Sequence, residues 1–278
     1  MKAGRAAFWN FARADYLAAY VNRTRTRLDT ENMTMWRAAG LPITEDGILR
    51  HSDDAANGDV ATYLPSDRED AVACSLIWIV LRVMNFVAQG AAQATPIQAR
   101  IVQWTQLRRQ LEEWFDNLPF TFQPYATMST SPQTDSEQPE EHKNRFVRLF
   151  FSVPMCAAAL QLYHFAQIVL LPNQPVDERD NSNLAKRIQM FRNVSEASDY
   201  HSRQICGIAL GKPPPAVSRQ MVHSLYLAGL CFEENEDRKV VVELLQNIEK
   251  ETGSSTAQRV RDLREQWGWQ GEVTEITE

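Results

Sequence analysis

Residues 149–171 read LFFSVPMCAAALQLYHFAQIVLL and carry no Asp, Glu, Lys or Arg. A membrane-spanning helix needs about 20 apolar residues, so length alone permits that reading. The interior argues against it. Pro154, Gln161, His164 and Gln167 fall inside the stretch, and each polar side chain would need a partner that lipid does not offer. The three polar residues recur every third position, which places them along one helical face. The stretch therefore predicts a central helix over 149–171, kinked or begun afresh near Pro154. Such a helix is apolar nearly all round because neighbouring helices cover it. The expectation is an all-α protein packed around it, with no membrane association.

Helical spacing continues on both sides. Trp9, Ala12, Tyr16 and Ala19 mark a first helix over 6–21, and a short helix is expected over 31–39, capped by Thr30 or Asp29. Arg23, Arg25 and Arg27 alternate between them and share no helical face, which reads as a solvated exit. Residues 40–65 read as loop. Ser66-Asp67-Arg68-Glu69 has the form of a capping box, and Val72, Leu76, Ile79, Val83 and Phe86 give the helix behind it a broad buried face. Pro96 at a first helical position opens the next helix, and Pro119 stops it.

Residues 126–143 are polar, acidic and proline-containing, and read as a disordered insert within one domain spanning 1–278. Asn183 caps a helix with the stripe Leu184, Ile188, Phe191, Val194, Ala197, His201, Ile205 and Ile208. Lys212 and Pro213 to Pro215 form a stiff connector, followed by a helix over 217–232. Asn235 starts another, which Gly253 is placed to end, and Val260, Leu263 and Trp267 mark the last. The tail over 270–278 should fray. No strand pattern competes.

Composition narrows the function. With 29 basic and 35 acidic residues the formal net charge is -6, which argues against a nucleic-acid-binding surface made by these residues alone. Cys74, Cys156, Cys206 and Cys231 lie far apart with no C-x-x-C, as expected of reduced thiols in an intracellular protein. Gly207 to Pro213, GIALGKP, falls one residue short of a phosphate loop, and proline stands where Ser or Thr would hold magnesium. Asp53 and Asp54 lack the further acid of a terpene-cyclase magnesium cluster. The five histidines make no zinc-protease pattern, and no G-x-S-x-G occurs. No catalytic residue, cofactor site or metal site is expected, and the protein does not read as an enzyme. One speculative ligand pocket stands out between two helices: Gln161, His164 and Gln167 facing His201 and Gln204.

The order of segments also carries a likeness. AAFWNFARADYLAAYVNRTRTRLD (6–29), LIWIVLRVMNFVAQG (76–90), WTQLRRQLEEWFDNLPFTFQPY (104–125), HSRQICGIAL (201–210) and LYLAGLCFEENEDRKVVVELLQNIEKETG (225–253) occur in succession, before L-x-x-x-W-G at Leu263 to Gly268. This succession resembles the regulatory, or middle homology, domain of fungal zinc-cluster transcription factors. Ser254 departs from it, since many relatives carry tryptophan there. The resemblance implies transcriptional regulation in a fungal nucleus as an effector or inhibitory helical domain. It also implies protein partners in the transcription machinery and room for a small-molecule inducer. The family's six-cysteine, two-zinc cluster is absent from this sequence, so DNA contact and zinc would belong to a module not present here. The abrupt helical start is expected either of the regulatory part of a longer factor or of a protein that has lost that module. The alternative is a stand-alone helical module that binds a protein or a small ligand.

Overall fold

The computed structural model describes residues 2–43, 65–90, 95–129, 146–176 and 183–269. The expectations for most of the 40–65 loop, most of the 126–143 insert, Asp53 and Asp54, and the 270–278 tail lie outside these residues. Ten α-helices and one two-stranded sheet are described. The chain separates into two compact units, Met1–Gln123 with Val169–Val194, and Pro124–Ile168 with Ser195–Glu278.

The first unit contains α1 (Lys2–Asn22), α2 (Met33–Ala38), α3 (Pro65–Gly90) and α4 (Ile97–Asp116). Helix α3 packs against both α1 and α4. Its helices are pinned by tryptophans whose rings fill the core while each indole N–H finds a carbonyl. Trp9 donates to Ala39 at 3.1 Å, Trp36 to Asp29 at 2.9 Å and Trp78 to Thr30 at 3.1 Å. Trp104 donates to Leu170 at 3.0 Å and Trp114 to Val72 at 2.9 Å.

The segment after α1 is irregular, turning at Arg23 and bending at Arg27 and Leu28. Its odd positions, Arg23, Arg25 and Arg27, face solvent as expected, while Thr26, Leu28 and Thr30 turn inward. Buried Asp15 on α1 accepts from the Arg27 and Leu28 amides at 2.9–3.0 Å. Asn85 on α3 accepts from the Thr26 amide at 2.8 Å and donates to the Thr30 hydroxyl at 3.3 Å.

The second unit holds the sheet, and the sheet is a correction to the sequence reading. Strand β1 (Ala126–Ser129) pairs antiparallel with β2 (Val147–Phe150), with Thr127 opposite Leu149. Residues 126–129 of the expected insert, and 149–150 of the expected central helix, are therefore strand. Helix α5 (Pro154–Leu170) begins at the proline, which suits the first helical position because its missing N–H costs nothing there. Helix α6 (Leu184–Leu210) follows, then α7 (Pro215–Gln220), α8 (Val222–Cys231), α9 (Asn235–Thr252) and α10 (Ala257–Gln266).

Strand β2 lies directly on the end of α6 because glycines stand there four residues apart, Gly207 within the helix and Gly211 just past its last residue. A Cβ at Gly207 would overlap the Val147 carbonyl oxygen, and a Cβ at Gly211 that of Leu149. The GIALG sequence that falls short of a phosphate loop is thus a seat for a strand backbone.

Helix ends show where local chemistry was and was not decisive. Asn183 caps α6 by accepting from the Lys186 amide at 3.1 Å. Gly253 ends α9 in the left-handed region at φ 69°. By contrast α2 is capped by Asn32, not Thr30 or Asp29. Helix α3 starts at Pro65, which puts Ser66 inside its first turn. Pro96 sits just before α4, and α4 ends at Asp116, three residues short of Pro119. The helix expected over 217–232 is broken at Met221. Leu184, Ile188 and Phe191, expected on the buried stripe of α6, are 67%, 44% and 61% exposed.

Helices α3 and α5 each pass as membrane spans by length and composition, yet 83% of the α5 window is buried inside the fold.

The glycine seat gives a stability test. Gly211→Ala drives a Cβ into a carbonyl that cannot rotate away, and we expect a loss of about 1–3 kcal/mol. Gly4→Ala, where a Cβ meets nothing within 4 Å, should instead stabilise by about 0.5–1 kcal/mol. Urea unfolding midpoints check both; equal midpoints for the Gly211 variant and its parent would refute the close approach.

Candidate functional site

Helix α5 carries its polar side chains in fully buried surroundings: Gln161, His164 and Gln167 are 1%, 4% and 4% exposed. Burying such groups unpaired costs about 1–3 kcal/mol each, and the structure pairs all three. Gln161 Oε1 accepts from the Ser224 hydroxyl of α8 at 2.6 Å. Gln167 Nε2 donates to the Tyr163 hydroxyl at 3.0 Å, one turn back on the same helix. His164 Nδ1 meets His201 Nδ1 of α6 at 2.8 Å.

The histidine contact fixes its own chemistry. Two ring nitrogens at hydrogen-bond distance require one to carry a proton and the other a lone pair, so the two rings hold opposite tautomers. Burial pushes His164 well below the ordinary histidine range, and the neighbouring His201 adds to the effect. Burial alone brings His201 down to about 4. Both rings are uncharged at neutral pH. Tyr163 and Tyr200 stack edge-on against the pair, with centroids 5.1 Å and 5.2 Å from their adjacent histidines.

Of the five residues read as one pocket, the structure brings His164 and His201 together. Gln161 turns to Ser224 and Gln167 to Tyr163. Gln204 is half-buried, and no described hydrogen bond joins it to the cluster. Two clefts are found elsewhere in this unit, and none of the five lines either one. The geometry is a packed polar seam. Ser224, the one serine inside the run VHSLYLAGLC, is the sequence signal for Gln161's partner.

A second polar cluster in the same unit also escaped that reading. Arg203 on α6 donates Nε to Asp199 at 2.7 Å and Nη2 to Asp237 of α9 at 2.6 Å. Its guanidinium lies 5.2 Å from the Phe146 ring centroid and 5.3 Å from that of Phe232. A planar, delocalised cation suits this double role of ion pair and ring stacking. The Asp199–Arg203 spacing of one helical turn was its sequence trace.

Nothing in the second unit's thiols suggests a nucleophile. Cys206 is buried, and burial raises its thiol far above the usual range. Among the described residues, no group of three or more His, Cys, Asp or Glu converges to hold a metal ion.

The neutral histidine pair predicts a pH signature. In the unfolded chain both histidines titrate near 6.5, whereas in the fold they resist protonation. The unfolded state therefore binds more protons below pH 6.5, and stability should fall as pH drops from about 6.5 toward 4. Each histidine contributes a slope of up to about 1.4 kcal/mol per pH unit. His201→Gln should show a shallower dependence than its parent in that window; parallel curves would refute the neutral pair.

Sequence comparison extends these observations. Over 276 residues the chain is 35% identical to the transcription activator AMTR1 of Alternaria alternata, an alignment that covers 96% of this chain and 36% of that protein. The chain thus spans about a third of the length of that curated relative. No family model and no solved structure matches. The chain is related in sequence, over nearly its whole length, to part of a transcription activator.

Proposed function

We propose that these residues act in transcriptional regulation, as the helical effector or inhibitory region of a fungal zinc-cluster type factor working in the nucleus. The observation that carries this reading is the 35% identity to a transcription activator over 96% of the chain. The all-α architecture is compatible with it, as is the succession of motifs from residue 6 to residue 268. In this reading the chain is not an enzyme. Its partners are proteins of the transcription machinery, and zinc and DNA contact belong to a module outside these residues.

The surface supports a separate DNA-reading module. Specific recognition needs side chains held against base edges, and non-specific binding needs a basic surface that neutralises phosphates. The chain's net charge is -6. Arg23, Arg25 and Arg27 are exposed on an irregular segment, with no helix to present them to a groove.

Two measurements test the reading together. Fused to an unrelated DNA-binding domain, residues 1–278 should change reporter output from that domain's sites, relative to the domain alone. The 278-residue chain by itself should show no sequence-specific mobility shift at physiological salt. An inert fusion would refute the regulatory role. A shift that survives competitor DNA would refute the division of labour and point to a stand-alone DNA-binding protein.

A further inference from the structure

A cleft of about 200 Å³ opens in the second unit between the end of α6, α7 and α9. Its floor is apolar: Leu210, Met221, Leu244 and Ile248 line it, and the last three are buried in the fold. Two cations stand at its rim, Arg148 from β2 and Lys212 from the α6–α7 connector. Both are exposed, and among the described residues neither makes an ion pair. Glu251 is the single acidic residue lining the cleft, so the rim carries a net charge of about one positive unit.

The connector holds this rim in place. Lys212 adopts a left-handed conformation at φ 53°, unusual for a residue with a side chain. Its amide donates to the Ala209 carbonyl at 3.0 Å. Pro213 to Pro215 fix the chain behind it, and the buried Ser218 hydroxyl donates to the Pro213 carbonyl at 3.0 Å. A strained residue on a rigid connector is aimed rather than loose. Arg148 is placed as firmly, since its strand neighbours Val147 and Leu149 rest on Gly207 and Gly211.

We propose that this cleft binds a compact amphipathic monoanion, a carboxylate with an apolar body of about eight carbons. The apolar body takes the floor, and the head group bridges Arg148 and Lys212. The volume corresponds to roughly seven waters' share of liquid, too small for a nucleotide or a sterol. A rim charge near plus one matches a single carboxylate better than a doubly charged phosphate, and a guanidinium fork donates to the oxygens of a carboxylate along two parallel bonds. The inference stands on the cleft alone and does not depend on the transcriptional reading.

Titration of the isotope-labelled 278-residue chain with sodium octanoate tests it, with 1-octanol and octylamine as probes of the same body. Octanoate should shift amide resonances at 209–212 and 244–251. Octanol and octylamine should bind at least about tenfold more weakly. The double variant Arg148→Glu, Lys212→Glu changes only exposed positions and should keep the parent's circular dichroism while losing octanoate affinity by about tenfold or more. Unmoved amides at millimolar octanoate would overturn the proposal. So would equal affinity in the charge-reversed variant, or octylamine binding as tightly as octanoate.

Discussion

A helix buried on every side that nevertheless carries polar side chains must find a partner for each of them. Helix α5 lives under that constraint. It has no charged residue, so dispersion and apolar burial would let it slide or rotate among near-equivalent packings. The Gln161–Ser224 and His164–His201 bonds remove that freedom, one to α8 and one to α6. A rotation or one-residue slip would strand a glutamine and an imidazole in an apolar interior, at a cost of about 1–3 kcal/mol apiece. Specificity of packing is thus supplied by few atoms, while the bulk of the stabilisation comes from the apolar surface around them.

The same unit solves a second problem by omission. Strand β2 approaches α6 so closely that its carbonyls occupy space where side chains would normally stand, and Gly207 and Gly211 provide that space. The strand in turn brings Phe146 against Phe232, ring centroids 5.7 Å apart and edge to face, beside the Arg203 guanidinium. Arg203 then ties α6 to α9 through Asp237. One glycine pair, one aromatic pair and one ion-pair cluster therefore set the surroundings of the connector that carries Lys212.

Much of this architecture was legible in the residues, because helical periodicity is a local signal and burial follows it. Trp9, Ala12, Tyr16 and Ala19 of α1 are buried where the spacing put them, and Gly253 and Asn183 act as the end signals they resemble. What was not legible depended on contacts distant in sequence. Residues 149–150 of the second strand read as part of an apolar run until Pro154 is given its weight as a helix start, and the partner strand at 126–129 lies beyond a long insert. The glycines of GIALG were weighed as a ligand loop because their real partner, a backbone carbonyl, leaves no residue-type signature. Gln161, His164 and Gln167 were correctly placed on a buried face, yet nothing local distinguishes a polar group that awaits a ligand from one already matched to Ser224, His201 or Tyr163. Leu184, Ile188 and Phe191 show the converse, a periodic stripe whose exposure only the fold reveals.

The polar residues of α5 are spent on one another and on neighbouring helices, and that pairing holds the helix in register. A double-mutant cycle at Gln161 and Ser224 addresses it most directly. Unfolding free energies of the parent, Gln161→Leu, Ser224→Ala and the double variant give the coupling between the two side chains. Each single variant should lose about 1–3 kcal/mol, and the double variant should lose less than their sum by about 1 kcal/mol or more, because each single change leaves its partner unpaired. Additive losses, with no coupling, would contradict it.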